Sequence, residues 1–127
     1  MIRPEPSAPN DLANLQDHLR QFVRERDWEQ FHTPRNLILA LVGEVGELAE
    51  LFQWLSDEQV AAAVHDPNLA TRIREELADV FSYVLRLSDI LGISLGEALI
   101  AKIRLNAERY PVERVRGSAI KYTHLDG

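Results

Sequence analysis

Apolar residues recur every three or four positions along most of this chain, and each recurrence opens on a helix-start signal. Asp11 caps a first predicted helix, about 11–26, with Leu12, Leu15, Leu19, Phe22 and Val23 on one side. Thr33 as N-cap and Pro34 at the first helical position predict a second, about 34–55. Its stripe runs Leu37, Leu41, Val45, Leu48, Phe52 and Leu55. Ser56 with Gln59 is a capping-box pattern for a short helix through Val64. Asp66-Pro67 repeats the start signal for a long helix, about 67–91, striped by Ile73, Leu77, Val80, Val84, Leu87 and Leu91 and closed by Gly92. Ser94 with Glu97 opens a further helix to about Arg109, stopped by Pro111. No strand-like alternation and no internal repeat interrupt this pattern. The expected fold is all-α, a four-helix bundle-like unit.

Residues 1–10 carry three prolines and read as a flexible N-terminal arm. Residues 11–111 read as one all-α domain and 112–127 as an extended C-terminal tail. A length of 127 residues suits one domain. Gly43 and Gly46 interrupt a helix interior at a cost of about 1 kcal/mol each, which close approach by a neighbouring helix or a ligand would explain. Apolar residues also lie off the main stripes, at Ile38, Val42, Leu51, Phe81 and Leu85. Helices apolar most of the way round imply that an oligomer completes the core.

Composition removes several function classes. Apolar residues make up 46% and charged residues 27%, as in soluble globular proteins. A formal charge of −6 argues against binding a nucleic-acid polymer through its backbone. With no cysteine, disulfides and thiolate chemistry are excluded. No apolar run has the length of a membrane span, and MIRPEPSAPND has no apolar core of a signal peptide. A cytoplasmic location is the expectation.

Two carboxylate pairs carry the candidate chemistry. Glu44 and Glu47 sit in LVGEVGEL, and Glu76 and Asp79 in REELADV. Residues three apart on a helix have β-carbons about 5–6 Å apart, so each pair points two acids the same way. Glu44 shares its face with Leu37, Leu41, Leu48 and Leu51; Glu76 shares its face with Ile73, Val80 and Tyr83. A single acidic pair on a helix is usually a solvated face. Four acids along two apolar stripes need a counter-charge, and a hard, oxygen-seeking Mg²⁺ or Mn²⁺ supplies one.

The E-x-x-E of Glu44–Glu47 followed by the E-x-x-D of Glu76–Asp79 resembles the signature of the all-α nucleoside triphosphate pyrophosphatases, the MazG-like superfamily. RDWEQFHTPRNLILALVGEVGELAELFQW (26–54) and EELADVFSY (75–83) resemble its dCTP pyrophosphatase branch. So do the spacing of Lys102, Asn106, Arg109, Tyr110 and Pro111, and the tail residues Lys121, Tyr122 and Thr123. The resemblance implies a homotetramer built as a dimer of dimers. It also implies that Glu44, Glu47, Glu76 and Asp79 hold Mg²⁺, with Mn²⁺ as a substitute. Water then attacks the α-phosphorus of a nucleoside triphosphate, giving a monophosphate and pyrophosphate. The same resemblance assigns base recognition to Trp28, Gln30, Phe31, His32, Trp54 and Tyr83 and phosphate contacts to Lys102 and Asn106, with Lys121 in the tail closing over the site; the position of Tyr83 beside Asp79 also places it to meet the sugar. Aromatic faces suit base stacking, though both tryptophans would also serve as core. Glu50, one turn from Glu47, is either a solvated acid or a catalytic helper. One departure is Leu19, where some animal relatives carry a substrate-contacting histidine; His18 is one position off and points about 100° away.

Three other readings compete. A ferritin-like di-iron bundle needs two E-x-x-H motifs, and this chain has one, Glu29–His32. A non-catalytic nucleotide-binding or scaffold oligomer would not need acids on an apolar stripe. Within the enzyme class, dCTP or a modified dCTP stands first, with dUTP, dTTP or a broad set as alternatives.

Overall fold

Asp11 opens the first helix by accepting from the N–H groups of Ala13 and Asn14 through its side chain, satisfying donors that a helix start leaves unpaired. The structure is a computed structural model, and it describes residues 11–119 and Thr123. Among the described residues six helices follow one another: α1 (Leu12–Glu25), α2 (Pro34–Glu50), α3 (Asp57–Ala63), α4 (Pro67–Leu91), α5 (Leu95–Arg109) and α6 (Val112–Val115). A 3₁₀ turn, Glu29–Phe31, lies between α1 and α2. No strand occurs among the described residues. The all-α expectation holds.

The predicted start signals work as local chemistry. Thr33 accepts from the Asn36 N–H at 3.2 Å, with Pro34 behind it. Ser56 and Gln59 form both halves of their capping box. Asp66 caps α4, and Gly92 ends it at φ 67°, a left-handed conformation that glycine adopts without strain. Ser94 accepts from the Glu97 N–H at 3.4 Å.

Three expectations need correction. The second helix stops at Glu50, not near 55, because Leu51 and Phe52 donate three residues back, to Leu48 and Ala49, tightening the chain into turns. The segment after Pro111, read as extended, contains the four-residue α6. At Gly43 and Gly46, an added β-carbon would meet nothing within 4 Å, so within one chain no neighbour approaches either glycine closely. The N-terminal arm lies outside the described residues.

The chain divides into two compact units, one ending at Ile93 and one beginning at Ser94. The break falls within the stretch 11–111 that the sequence groups as one domain. In the first unit α4 packs against both α1 and α2. Arg86 meets His32 just before α2, while Glu76 lies beside Glu44 further along it, so α2 and α4 run antiparallel. Gln16 ties α1 to α4 by donating to the Ser88 hydroxyl at 2.9 Å and the Leu85 carbonyl at 3.3 Å.

The core is thin. Among the described residues only Val23, Leu37 and Leu85 are buried apolar side chains. Val45 and Leu77, assigned to the stripes, are exposed in the single chain, as are Ile38, Leu39, Val42 and Phe81. No helix among the described residues is long and apolar enough to cross a membrane.

Candidate active site

Antiparallel packing of α2 against α4 brings the two acidic motifs face to face. Glu44, Glu47 and Glu76 each place one carboxylate oxygen within 4.8 Å of the others. Glu44 and Glu76 are half-buried and Glu47 is exposed. Among the described residues, Glu44 Oε2 and Glu76 Oε2 are the buried side-chain oxygens with no hydrogen-bond partner. Unpaired buried acceptors beside like charges cost stability. A divalent metal would satisfy both orphaned oxygens and neutralise the cluster, and an all-oxygen donor set suits a hard cation.

The electrostatics of Glu44 follow from this crowding. Burial, first, and then the adjacent Glu76 and Glu47 carboxylates and the charges of Glu47 and Asp79 push its pKa up to about 7. Asp79 lies outside the three-oxygen cluster but close enough to act on Glu44. Tyr83, one turn further along α4, has its pKa raised by burial and by the charges of Glu44, Asp79 and Glu47.

A cavity of about 250 Å³ opens nearby, lined by residues of α1, α4 and the loop before α2. Trp28, His32, Asp79 and Tyr83 face it together with Leu19, Phe22, Ser82 and Arg86. The Trp28 ring is fixed edge-on against Phe22, with centroids 5.8 Å apart, and the Arg26 guanidinium sits 3.8 Å over the other ring's centroid. The loop carrying Trp28 turns at Asp27, whose φ of 54° is unusual for a residue with a side chain. Gln30 spans that turn by donating to the Asp27 carbonyl and carboxylate.

Beneath His32 runs a charged chain. The Arg86 guanidinium donates from Nε to His32 Nδ1 at 3.1 Å and from Nη1 to Asp89 at 3.3 Å. Asp89 is gripped in turn by Arg20, through contacts of 2.7 and 3.0 Å. Arg20, first by hydrogen bonding and also by its charge, together with the charge of Arg86, holds the Asp89 carboxyl below the usual range. Burial, and secondarily the Arg86 charge, lowers the pKa of His32.

A model of the MazG-like family matches residues 40–125. The chain belongs to the MazG-like family. It is 50% identical over 122 residues to dCTP pyrophosphatase 1 of Mus musculus, a match covering 96% of this chain and 69% of the mouse protein. The human dCTP pyrophosphatase 1 is 46% identical over the same shares of the two chains. A crystal structure of a pyrophosphatase from Archaeoglobus fulgidus superposes with a TM-score of 0.74 at 34% identity, covering 87% of this chain and 99% of the archaeal one.

Within this MazG-like chain the candidate residues fall into separate groups. Glu44, Glu47 and Glu76 cluster, and Asp79 joins Trp28, His32 and Tyr83 on the cavity wall. Gln30 is engaged within its own loop, and Phe31 is exposed and does not line the cavity. Trp54 is 85% exposed, beyond the far end of α2. Glu50 is exposed at the last turn of α2. Lys102 and Asn106 lie on α5, in the second unit. Lys121 lies outside the described residues. Leu19 lines the cavity. Phe22 and Val23 look like ordinary core from their spacing, and Ser82 and Arg86 carry no motif. The i,i+3 spacing of Arg86 and Asp89 is a sequence signal that could have pointed to their ion pair.

The raised pKa of Glu44 predicts how the metal-free protein responds to pH. The folded chain retains a proton on Glu44 that the unfolded chain releases above about 4.5. That contribution to stability is full below 4.5 and is lost as pH rises through about 7. In excess chelator the melting temperature should therefore fall between about pH 5 and pH 8. Glu44→Gln should flatten the fall, and a saturating divalent metal should offset it. A chelated wild type with no decline across that window would contradict the assignment.

Proposed function

We propose that this chain is a Mg²⁺-dependent pyrophosphohydrolase that converts dCTP and water to dCMP and pyrophosphate, clearing canonical or modified dCTP from the nucleotide pool. One observation carries the reading: two buried, unpartnered carboxylate oxygens converge from α2 and α4 next to a cavity walled by Trp28, His32 and Tyr83. Relatives spanning nearly the whole chain are named dCTP pyrophosphatases, and the pyrophosphatase family is generally metal-dependent. A cytoplasmic location belongs to the same proposal.

Glu44, Glu47, Glu76 and Asp79 would hold the metal. When bound, Mg²⁺ supplies charge neutralisation on the triphosphate oxygens and makes a water more acidic. The chain's own residues do the rest. Trp28 presents a braced aromatic ring to the cavity for stacking. Tyr83 lines that cavity and feels the charges of the acids, a place from which it can meet the sugar of a bound nucleotide. A carboxylate oxygen not engaged with the metal takes the proton of the attacking water. By family resemblance, Lys102 and Asn106 contact phosphate oxygens and Lys121 closes over the site.

The working unit is a homotetramer arranged as a dimer of dimers. Exposed Ile38, Leu39, Val42 and Val45 on α2 and exposed Leu77 and Phe81 on α4 support association. So does the open space around Gly43 and Gly46.

Hydrolysis in ¹⁸O-water tests the reaction. Attack at the α-phosphorus should place the label in the monophosphate and leave pyrophosphate unlabelled. Labelled orthophosphate with a diphosphate product would mean a different reaction. Assaying dCTP against modified dCTP, dUTP and dTTP for pyrophosphate release ranks the substrates.

A further inference from the structure

We infer that Arg86 is a positioning residue that locks His32 into the single tautomer protonated on Nε2, so that His32 can meet a nucleotide only as a hydrogen-bond donor. The inference rests on the reading of the cavity as a nucleotide site. Its structural half stands without it.

A guanidinium offers five N–H donors and no acceptor. With Arg86 Nε 3.1 Å from His32 Nδ1, that nitrogen must carry its lone pair. A proton on Nδ1, in the other neutral tautomer or in the imidazolium, would set two donors head to head. Nε2 is then the ring's only N–H.

Arg86 cannot easily turn aside. It is 7% exposed, and its second contact is the Asp89 carboxylate. Asp89 is itself clamped by a two-point contact with Arg20 of α1, and the neighbouring Ser88 is held by Gln16. His32 is fixed from its own side as well. Its backbone N–H donates to Glu29 at 3.1 Å, and Thr33 and Pro34 start α2 immediately after it. The imidazole thus hangs between two anchored elements, on the same cavity wall as Trp28, Asp79 and Tyr83. The lowered His32 pKa, from burial and the Arg86 charge, agrees with a neutral ring.

A donor-only imidazole sorts the groups of a pyrimidine nucleotide. It can bond cytosine O2, cytosine N3 or a phosphate oxygen, all of which offer lone pairs. It cannot accept from the exocyclic amino group. Any recognition of that amino group must come from another residue.

The test is ¹⁵N NMR of the histidine side chains in the intact chain without nucleotide, with His32 assigned by the signal lost in His32→Gln. Wild type should show a lone-pair-type Nδ1 and an N–H-type Nε2. Arg86→Met should shift both nitrogens towards tautomer averaging. It should also raise KM for dCTP about tenfold, with a much smaller fall in kcat. Arg86→Lys, which keeps a charged donor, should recover both the shifts and most of the KM. Adding Arg86→Met to His32→Ala should cost little beyond His32→Ala alone. An Nδ1–H tautomer or an imidazolium in the wild type at neutral pH overturns the inference, whether or not the variants fold. A folded Arg86→Met with wild-type shifts and KM overturns it as well. An Nε2–H tautomer in a wild type that does not hydrolyse dCTP supports the Arg86–His32 arrangement and overturns the dCTP reading.

Discussion

Glu47→Ala and Asp79→Ala should each remove Mg²⁺-dependent hydrolysis of dCTP while circular dichroism shows the helices intact. Losing an outer-shell partner typically costs about 10–100-fold in metal affinity or activity, so losing a ligand should cost more. The fold should survive because neither side chain belongs to its thin core. Glu47 is exposed, and its partners are other acids. Removing one negative charge from that cluster relieves repulsion, so the metal-free variants should melt at or above the wild-type temperature. The combination is diagnostic: a loss of activity with a gain in metal-free stability marks a charge cluster kept for function. Wild-type turnover in either variant would remove the acids from the metal site.

Trp54→Ala should lower kcat/KM for dCTP by roughly ten- to a hundredfold, the scale of one lost base-stacking contact at about 1–3 kcal/mol. The metal requirement should not change. Trp54 contributes nothing to the cavity of its own chain, being 85% exposed. Between His32 and Trp54 stands all of α2, whose 17 residues span about 25 Å. One base cannot touch both within a single chain. If Trp54 stacks on the base, it does so in the pocket of a neighbouring subunit, and the effect should appear in KM. Sedimentation should show a dimer or tetramer for wild type at micromolar concentration. A stable, fully active monomer, or a Trp54→Ala variant with unchanged KM and nucleotide ranking, would reduce Trp54 to a surface side chain.

What could be read from the sequence follows the range of the forces involved. Asp11, Thr33-Pro34, Ser56 with Gln59, and Asp66-Pro67 mark helix starts because capping involves partners two or three residues away. The acids at Glu44 and Glu76 stand out because ionised groups on an apolar stripe are a local conflict. The end of α2 was not legible: Leu51, Phe52 and Leu55 continue the apolar spacing past the point where the backbone tightens into turns. Nor was Arg86 legible as a partner of His32, since 54 residues separate them and only the packing of α4 brings them together. Leu19, Phe22 and Val23 look like core from spacing alone. In the fold Val23 is buried, and all three also border the cavity.

The distance between Trp54 and the cavity of its own chain has a genetic consequence. If Trp54 completes the pocket of a neighbouring subunit, a chain with a damaged acid cluster still carries an intact Trp54 to lend, and a chain without Trp54 still carries an intact acid cluster to be completed. Two such alleles, each impaired when expressed alone, would then rebuild a share of whole sites when their products assemble together.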